Sequence, residues 1–329
     1  MNNGINRVLV TGAGGFVGRQ LCEGVIKRGW QVKVASRTPN LPQQGVESVV
    51  NGQIDGQTNW SDALRGVDMV IHLAARVHVM KDMAADPLEE FLKVNFYGTS
   101  NLARQAASAG VKRFVYVSSI KVNGEQTTGT QRFVESDEPE PQDPYAISKW
   151  RAEQDLWRIA QETGMEVVII RPPLVYGPGV KGNFISLMAA IDRGIPLPLA
   201  GARNARSLIY VGNLVDALIA CAEHPAAAGQ IYLVSDGEAI STATLIAKIS
   251  QSLECSDRLF YFPPGMLRAA AVLLGRVEQI DRLFGSLRVN DEKICKELVW
   301  SPPYSLDQGL RATADWYRAQ RIRYNRGTS

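Results

Sequence analysis

A tyrosine and a lysine lie four residues apart in the segment from Tyr145 to Lys149, with the sequence YAISK. Asp143 and Pro144 precede them and are typical of a helix start, so we expect both side chains on one helical face, one turn apart. A free tyrosine has a pKa of about 10, which is too high for easy proton exchange at neutral pH. A nearby ammonium stabilises the phenolate and lowers that pKa. The pair therefore predicts proton transfer to and from an alcohol or ketone oxygen.

A glycine-rich turn lies near the start of the chain, from Thr11 to Gly18, with the sequence TGAGGFVG. It stands between a predicted strand and a predicted helix. Glycines there let backbone N–H groups approach phosphate oxygens, and the helix N-terminus adds partial positive charge. Its spacing departs from the GxGxxG fingerprint, because Val17 stands where the third glycine is required, and a turn without a ligand is the alternative. The predicted contacts with a dinucleotide are Gly12, Gly14, Gly15, Phe16, Val17 and Gly18. A nicotinamide beside an activated tyrosine predicts hydride transfer.

The end of the second predicted strand bears on the choice of dinucleotide. An NAD site usually offers an acidic residue there to the ribose 2′-hydroxyl, whereas this chain has Ser36 and Arg37. Serine and arginine can hydrogen-bond and neutralise a 2′-phosphate, which a carboxylate would repel. The pattern favours NADP(H). The alternative, in which Arg37 only stacks on the adenine and the site accepts NAD, stays open.

Two serines follow the apolar strand that begins at Arg113. The carboxyl ends of parallel strands line the ligand crevice of an α/β sheet. A hydroxyl at that edge can donate to the substrate oxygen while Tyr145 moves the proton. We assign this role to Ser119 and expect Ser118 to face the cofactor.

Alternating strands and helices place these residues in an α/β fold. Strands are predicted at 7–11, 31–36, 68–75, 113–118 and 166–170, and helices at 17–28, 60–65, 87–109 and 145–163. This order indicates a Rossmann-type, doubly wound parallel sheet with helices on both faces. We divide the chain into a dinucleotide-binding domain, 1–171, and a smaller, mostly helical substrate lobe, 172–329. Segments near 205–235, notably 207–211 and 230–234, are expected to return to the sheet.

Composition excludes several classes of protein. The chain has 329 residues, is 45% hydrophobic, and carries 36 basic against 33 acidic residues, so no strong charge indicates nucleic-acid binding. Four cysteines lack metal-ligand spacing, and we expect them to be reduced and mostly buried. The apolar stretch 266–275 is too short to span a bilayer and carries Arg268, so it is expected to line a cleft or meet a partner. The start of the chain carries no signal-peptide pattern, and a cytoplasmic location is expected.

In its ordered motifs the chain resembles the extended short-chain dehydrogenases/reductases of the nucleotide-sugar epimerase/dehydratase type. The resemblance runs over almost the whole length. Its further markers are the segments 72–75, 94–99, 171–178, 210–216 and 298–302, followed by 305–309.

The resemblance implies roles position by position. Additional cofactor contacts would come from Leu73, Ala74, Ala75, Asn95, Pro172, Pro173 and Val175, besides Tyr145 and Lys149. Asn183 and Arg206 match positions that hold the diphosphate of a UDP-sugar in related epimerases. An arginine suits that task as a bidentate donor, although a surface ion pair is the alternative for Arg206. Lys121, with His78 and Val79, is a candidate for contact with the sugar.

Two departures from the family pattern are informative. Related 4,6-dehydratases carry Asp-Glu after the serine or threonine at the strand end, whereas this chain has Ile120 and Lys121, so dehydration is disfavoured. Leu174 replaces an asparagine that contacts substrate in many relatives, which weakens transfer of the finer details.

The expected reaction is oxidoreduction at C4 of a UDP-hexose that bears a 2-acetamido group. The sequence favours a 4-keto reductase that consumes NADPH, because of Ser36 and Arg37. A 4-epimerase that retains NAD is the alternative. Reduction of a non-nucleotide carbonyl and a non-catalytic nucleotide sensor are further alternatives. The resemblance also implies a homodimer formed by the helices at 87–109 and 145–163, with Trp150 and Trp157 as candidate contacts.

Overall fold

The computed structural model describes residues 7–37, 46–77, 86–273, 281 and 283–326. A parallel sheet of seven strands forms its centre, in the order β3-β2-β1-β4-β5-β6-β9. The strands are β1 (Arg7–Thr11), β2 (Gln31–Ser36), β3 (Val46–Val50), β4 (Met69–His72), β5 (Arg113–Val117), β6 (Glu166–Arg171) and β9 (Gln230–Leu233). Because all seven run the same way, their carboxyl ends meet at one edge, where the serines and the glycine turn were expected. The predicted Rossmann-type α/β class is confirmed.

Helices cover both faces of the sheet. The helices are α1 (Phe16–Lys27), α2 (Ser61–Leu64), α3 (Pro87–Leu92), α4 (Thr99–Ser108), α5 (Pro144–Thr163), α6 (Asn183–Asp192), α7 (Val211–Glu223), α8 (Thr242–Leu253), α9 (Pro264–Leu273), α10 (Glu292–Glu297) and α11 (Leu306–Arg326). On one face α1 and α7 bury Leu21 and Leu214 against the strands. On the other, α4 and α5 bury Leu102 and Leu156. Strands buried on both faces explain the continuous apolar runs of the sequence.

A third apolar cluster forms the substrate lobe. It joins α6, α8 and α11 through Phe184, Ile249 and Leu310. Two short strands, β7 (Leu174–Tyr176) and β8 (Leu208–Tyr210), pair with each other in a separate parallel sheet. The prediction that 207–211 returns to the central sheet is therefore wrong, whereas 230–234 does return, as β9 beside β6.

Two further differences concern local structure. The predicted helix 87–109 is interrupted by a π-helical segment, Lys93–Gly98, between α3 and α4. The strand β3 was not predicted, because it is a half-exposed edge strand without a clear apolar run. Residues 266–273 of the apolar stretch lie in α9, on which Met266 and Val272 are exposed, and 274–275 lie outside the described residues. No helix within the described ranges is long and apolar enough to cross a membrane.

Candidate active site

Tyr145 and Lys149 project from the first turns of α5. Asp143 begins this helix by accepting the Ala146 N–H at Oδ1 over 2.7 Å, and Pro144 follows it as the first helical residue. The Tyr145 phenol lies close to the hydroxyl of Ser119, which follows β5. Lys149 is 2% exposed, and its Nζ donates to the Val117 carbonyl oxygen over 2.8 Å. The structure thus brings together the serine, tyrosine and lysine that the sequence singled out.

The protein surroundings favour the neutral forms of both side chains. Burial and then the charge of Asp143 raise the pKa of Tyr145 to about 12, and the hydrogen bond from Ser119 opposes this rise. Burial lowers the pKa of Lys149 to about 7, against the opposing charge of Glu153. The expected lowering of the tyrosine pKa is therefore not produced by the protein groups alone. A positive charge close to the phenol would be needed to stabilise the phenolate.

The loop after β5 is fixed to the loop after β6. The Ser118 N–H donates to the Ile170 carbonyl over 2.8 Å, and the Ile120 N–H donates to the Pro172 carbonyl over 3.0 Å. Pro172 therefore lies beside the catalytic serine segment, and its expected contact with the cofactor stays a prediction. The Ser118 hydroxyl is buried and has no hydrogen-bond partner among the residues that the structure describes. A buried orphan hydroxyl at this edge is consistent with a polar group of a bound ligand.

The glycine turn has the shape that a dinucleotide pyrophosphate requires. Gly12 has φ +73°, and a Cβ on it would lie 2.8 Å from the Ala74 backbone nitrogen. A Cβ on Gly18 would lie 2.2 Å from the Gly12 carbonyl oxygen, whereas one on Gly14 would meet no protein atom within 4 Å. The turn is thus closed toward the sheet and open on its outer side. No side chain caps the α1 N-terminus, so its N–H groups can bind phosphate. These residues fit NAD(P).

Hydrogen bonds of His72 and Asn95, which we call the polar bracket, hold the loop after β4 beneath this turn. Buried His72 contacts the Thr11 hydroxyl over 2.6 Å and the Thr99 hydroxyl over 2.9 Å. Burial, followed by the charge of Lys149, lowers the pKa of His72 to about 3, so its ring is neutral at physiological pH. Asn95, from the π segment, accepts the Arg76 N–H over 2.8 Å and donates to Ser148 on α5 over 2.9 Å.

This bracket places Leu73, Ala74 and Ala75 between the glycine turn and the catalytic helix. The Leu73 N–H donates to the Thr11 carbonyl oxygen over 3.3 Å, and the Ala74 N–H donates to the Thr11 hydroxyl over 3.3 Å. Asn95 thus braces the loop from the π segment, as the resemblance implied. His72 stood within the resemblance, but its fixing role was missed, since the sequence does not show which hydroxyls surround it.

The remaining cofactor candidates lie around the same edge. Ala35 pairs with Thr11 in the register of β1 and β2, so Ser36 and exposed Arg37 come directly beside the turn. The Phe16 ring lies 3.3 Å from where a Gly179 Cβ would stand, which brings the loop after β7 onto the start of α1. Val175 lies in β7 and packs against the sheet core.

The substrate candidates occupy three different places. Lys121 Nζ donates to Asp143 over 2.5 Å and to Glu125 over 2.7 Å. Arg206 is half-buried and donates to the Gly285 carbonyl over 3.0 Å. Asn183 is exposed at the start of α6. His78 and Val79 lie outside the described residues.

A buried ion pair behind the lysine was not predicted. Arg171, at the end of β6, donates through Nε to Glu153 over 3.0 Å and through Nη1 to Asn123 over 3.0 Å, and its Nη2 forms an ion pair with Glu153 over 2.5 Å. Glu153 lies one turn after Lys149 on α5. The sequence offered one signal for this pair: Tyr145, Lys149 and Glu153 follow one another at intervals of four residues, which places them on one face of α5.

Residues 8–235 match the NAD dependent epimerase/dehydratase family. The chain belongs to this family. Its recognition as an NAD(P)-dependent enzyme of the epimerase type is confirmed, and the parallel-sheet architecture is the one expected for it.

Individual relatives show how the family varies. The chain is 42% identical over 309 residues to a UDP-glucose 4-epimerase of Vibrio cholerae, covering 93% of this chain and 94% of that protein. It is 34% identical over 252 residues to a 3-beta-hydroxysteroid dehydrogenase of Mycolicibacterium neoaurum, covering 72% and 67%. Among solved structures, MoeE5 in complex with UDP-glucuronic acid and NAD superposes with a TM-score of 0.77 at 26% identity, covering 96% of this chain and 100% of MoeE5.

Proposed function

We propose that the protein is a 4-epimerase of UDP-hexoses, including those with a 2-acetamido group, and that it retains NAD. The observation that carries this proposal is the Tyr145 phenol close to the Ser119 hydroxyl, one helical turn from Lys149 and at the same sheet edge as the glycine turn. The long similarity to a UDP-glucose 4-epimerase supports epimerisation over net reduction. Ile120 and Lys121, in place of an acid and base, argue against dehydration.

Each catalytic side chain has a distinct task in this reaction. When bound, NAD would supply the hydride acceptor and later the hydride donor at C4. Tyr145 as phenolate takes the proton of the C4 hydroxyl and returns it to the keto oxygen after the sugar has turned over. Ser119 donates a hydrogen bond to that oxygen. Lys149, when protonated, adds positive charge behind the tyrosine, and the Arg171–Glu153 pair fixes the helix that carries both.

Turnover without added cofactor tests this function. The purified protein is incubated with UDP-glucose and with UDP-N-acetylglucosamine, and products are separated chromatographically. We expect the C4 epimers to form and denaturation to release about one NAD per chain. Replacement Tyr145→Phe should lower kcat roughly 10²–10⁴-fold and keep the released NAD unchanged. Absence of epimer with wild-type protein that retains NAD would contradict the proposal.

A 4-keto reductase is the second candidate, because Ser36 and Arg37 lie beside the turn where a carboxylate would favour NAD. It predicts that NADPH binds more tightly than NADH and disappears in proportion to a supplied 4-keto UDP-sugar. Replacement Arg37→Ala should then weaken NADPH binding about tenfold or more and change NADH binding little. Equal losses for both dinucleotides would indicate adenine stacking instead.

We propose that Arg206 binds the substrate diphosphate. A charge-assisted hydrogen bond of this kind contributes about 1.5–3 kcal/mol, so Arg206→Ala should weaken UDP-sugar binding roughly 10- to 100-fold. The exposed Arg203 nearby offers a matched control, Arg203→Ala. Unchanged affinity in the Arg206 variant would point to a substrate without a diphosphate.

A further inference from the structure

Lys121 connects the segment that carries the catalytic serine to the helix that carries the tyrosine. It lies in a short 3₁₀ helix, Ile120–Val122, and its backbone N–H donates to the Ser119 hydroxyl over 3.3 Å. Its ammonium binds Oδ2 of Asp143 over 2.5 Å. The other oxygen of Asp143 caps α5, two residues before Tyr145. Lys121 thus contacts both the segment that carries Ser119 and the start of the helix that carries Tyr145.

The contact is partly shielded from water. The side chains of Lys121 and Asp143 are 27% and 24% exposed, and Glu125, the second carboxylate on the ammonium, is 27% exposed. A lysine held by two carboxylates in this setting loses much of its side-chain freedom. Its position therefore fixes that of Asp143, and with it the start of α5 relative to the serine segment.

The same contact changes the electrostatics at the tyrosine. Asp143 is a negative charge that raises the pKa of Tyr145, and an ammonium bound to that carboxylate offsets it. Among the described residues, the charged or titratable side chains near Tyr145 and Lys149 include Asp143 and Glu153 on and before α5, His72 in β4, Arg76 after β4, and Tyr116 in β5. Of these, His72 is neutral, and Arg76 lies over the Phe91 ring, whose edge faces Tyr145.

We propose that Lys121 is a positioning residue for proton transfer: it clamps Asp143 against the serine segment and cancels the carboxylate charge at the Tyr145 phenol. This inference rests on the proposed function of the site. It gives Lys121 a role other than the sugar contact suggested by the sequence.

The pH profile of kcat distinguishes this role. Because C4 oxidation needs the phenolate, activity rises with pH, and Lys121→Met should lower kcat about tenfold at neutral pH by moving this rise about one pH unit upward. Lys121→Arg should restore the wild-type profile. Glu125→Gln is the matched control, since it leaves the ammonium on Asp143, and should not move the profile. In Lys121→Met combined with Asp143→Asn the profile should return, because asparagine still caps the helix and carries no charge.

Other outcomes would overturn the proposal. A higher KM with unchanged kcat and profile would make Lys121 a substrate contact. A lower kcat without a shift of the profile would leave it a purely structural role. Titration of phenolate absorbance, taken as wild type minus Tyr145→Phe in the dinucleotide-loaded protein, needs no turnover. If no UDP-sugar reacts, the proposed function fails, but the phenolate titration still tests the role of Lys121. Formation of the phenolate at higher pH in Lys121→Met than in wild type supports that role. Formation at the same pH in both proteins rejects it.

Discussion

Burial acts on Tyr145 and Lys149 in opposite senses, and the result is a pair poised to respond to added charge. It raises the pKa of the phenol to about 12 and lowers that of the ammonium to about 7. Both groups are therefore held in their neutral forms more strongly than in water. A cationic ring placed nearby would favour the phenolate, so that oxidation of the sugar and deprotonation of the tyrosine depend on the same bound charge.

His72 allows a pH test at the level of one residue. Its pKa of about 3 lies below the value of about 6.5 in an unfolded chain, so only the unfolded state binds a proton between these values. The contribution of His72 to the free energy of unfolding should therefore be complete above pH 6.5. Below that pH the free energy of unfolding should fall by up to about 1.4 kcal/mol per pH unit. Urea unfolding at pH 7 and pH 5 measures this loss.

The matched variants are His72→Asn and His224→Asn, since His224 is half-buried at the C-terminal end of α7. The first should reduce the difference between pH 7 and pH 5, and the second should leave most of it. An equal pH effect in wild type and His72→Asn would show that this imidazole is not the group responsible.

The sequence predicted the catalytic residues better than their connections. Ser119, Tyr145 and Lys149 belong to short patterns with a direct chemical meaning, and they are adjacent in the structure. Lys121 and Asp143 are 22 residues apart, and Arg171 is 18 residues from Glu153. Lysine–aspartate and arginine–glutamate pairs at such separations have no local signature, because only the fold brings them together.

At the scale of elements, α5 carries much of the site's organisation. Its cap and its first proline were predicted from the sequence, since each is a local stereochemical requirement. The destination of the segment 207–211 was not, because a short apolar strand pairs equally well with β7 or with a longer sheet. The π-helical segment could not be predicted either, since its residues keep the apolar pattern of the flanking helices.

The closed inner side of the glycine turn predicts the outcome of a methyl insertion. Gly18→Ala would place a Cβ 2.2 Å from the Gly12 carbonyl oxygen, so the turn must shift away from its phosphate-binding shape. We expect dinucleotide affinity to fall more than tenfold, measured by fluorescence titration. Gly265→Ala, where a Cβ meets no atom within 4 Å, is the control. Unchanged affinity in Gly18→Ala would show that the turn does not hold the dinucleotide.

Across the whole molecule, the segment from Gly285 to Val289 ties the lobe to the loop after β5. Ser286 pairs with Thr127, and Leu287 pairs with Arg206. Asn204 completes the junction by donating to Gly285 over 2.9 Å and accepting the Thr242 N–H over 2.9 Å. The candidate diphosphate arginine is thus held by contacts from two distant parts of the chain, Ile240 and the segment 285–287.

Loss of Asn204 should therefore affect both stability and substrate binding. Asn204→Ala leaves the buried Thr242 N–H unpaired, at a cost of about 1–3 kcal/mol in the free energy of unfolding, and should weaken UDP-sugar binding through Arg206. Urea unfolding and ligand titration measure the two effects. The control is Asn290→Ala, which removes one hydrogen bond from a half-buried residue. It should lower the free energy of unfolding and the UDP-sugar affinity less than Asn204→Ala does. A stability loss with unaltered binding would separate Asn204 from the site.

The homodimer remains a prediction at this scale. The chain has a mass of 36.1 kDa, and light scattering should give about twice that value if α3, α4 and α5 form the expected four-helix contact. A charge introduced at Trp157, which is only partly buried, should return the mass to that of one chain. A monomeric wild type would overturn the prediction.

The π segment between α3 and α4 has a consequence for how this chain tolerates changes in length. An α-helix turns by about 100° per residue, so removing one residue from 93–98 rotates everything that follows relative to everything before. Either Asn95 would leave the loop after β4, or the apolar side of α4 would leave the sheet. A deletion here would spare every catalytic side chain and still dismantle their support. The number of residues in this stretch is thus as much a part of the site as their identities.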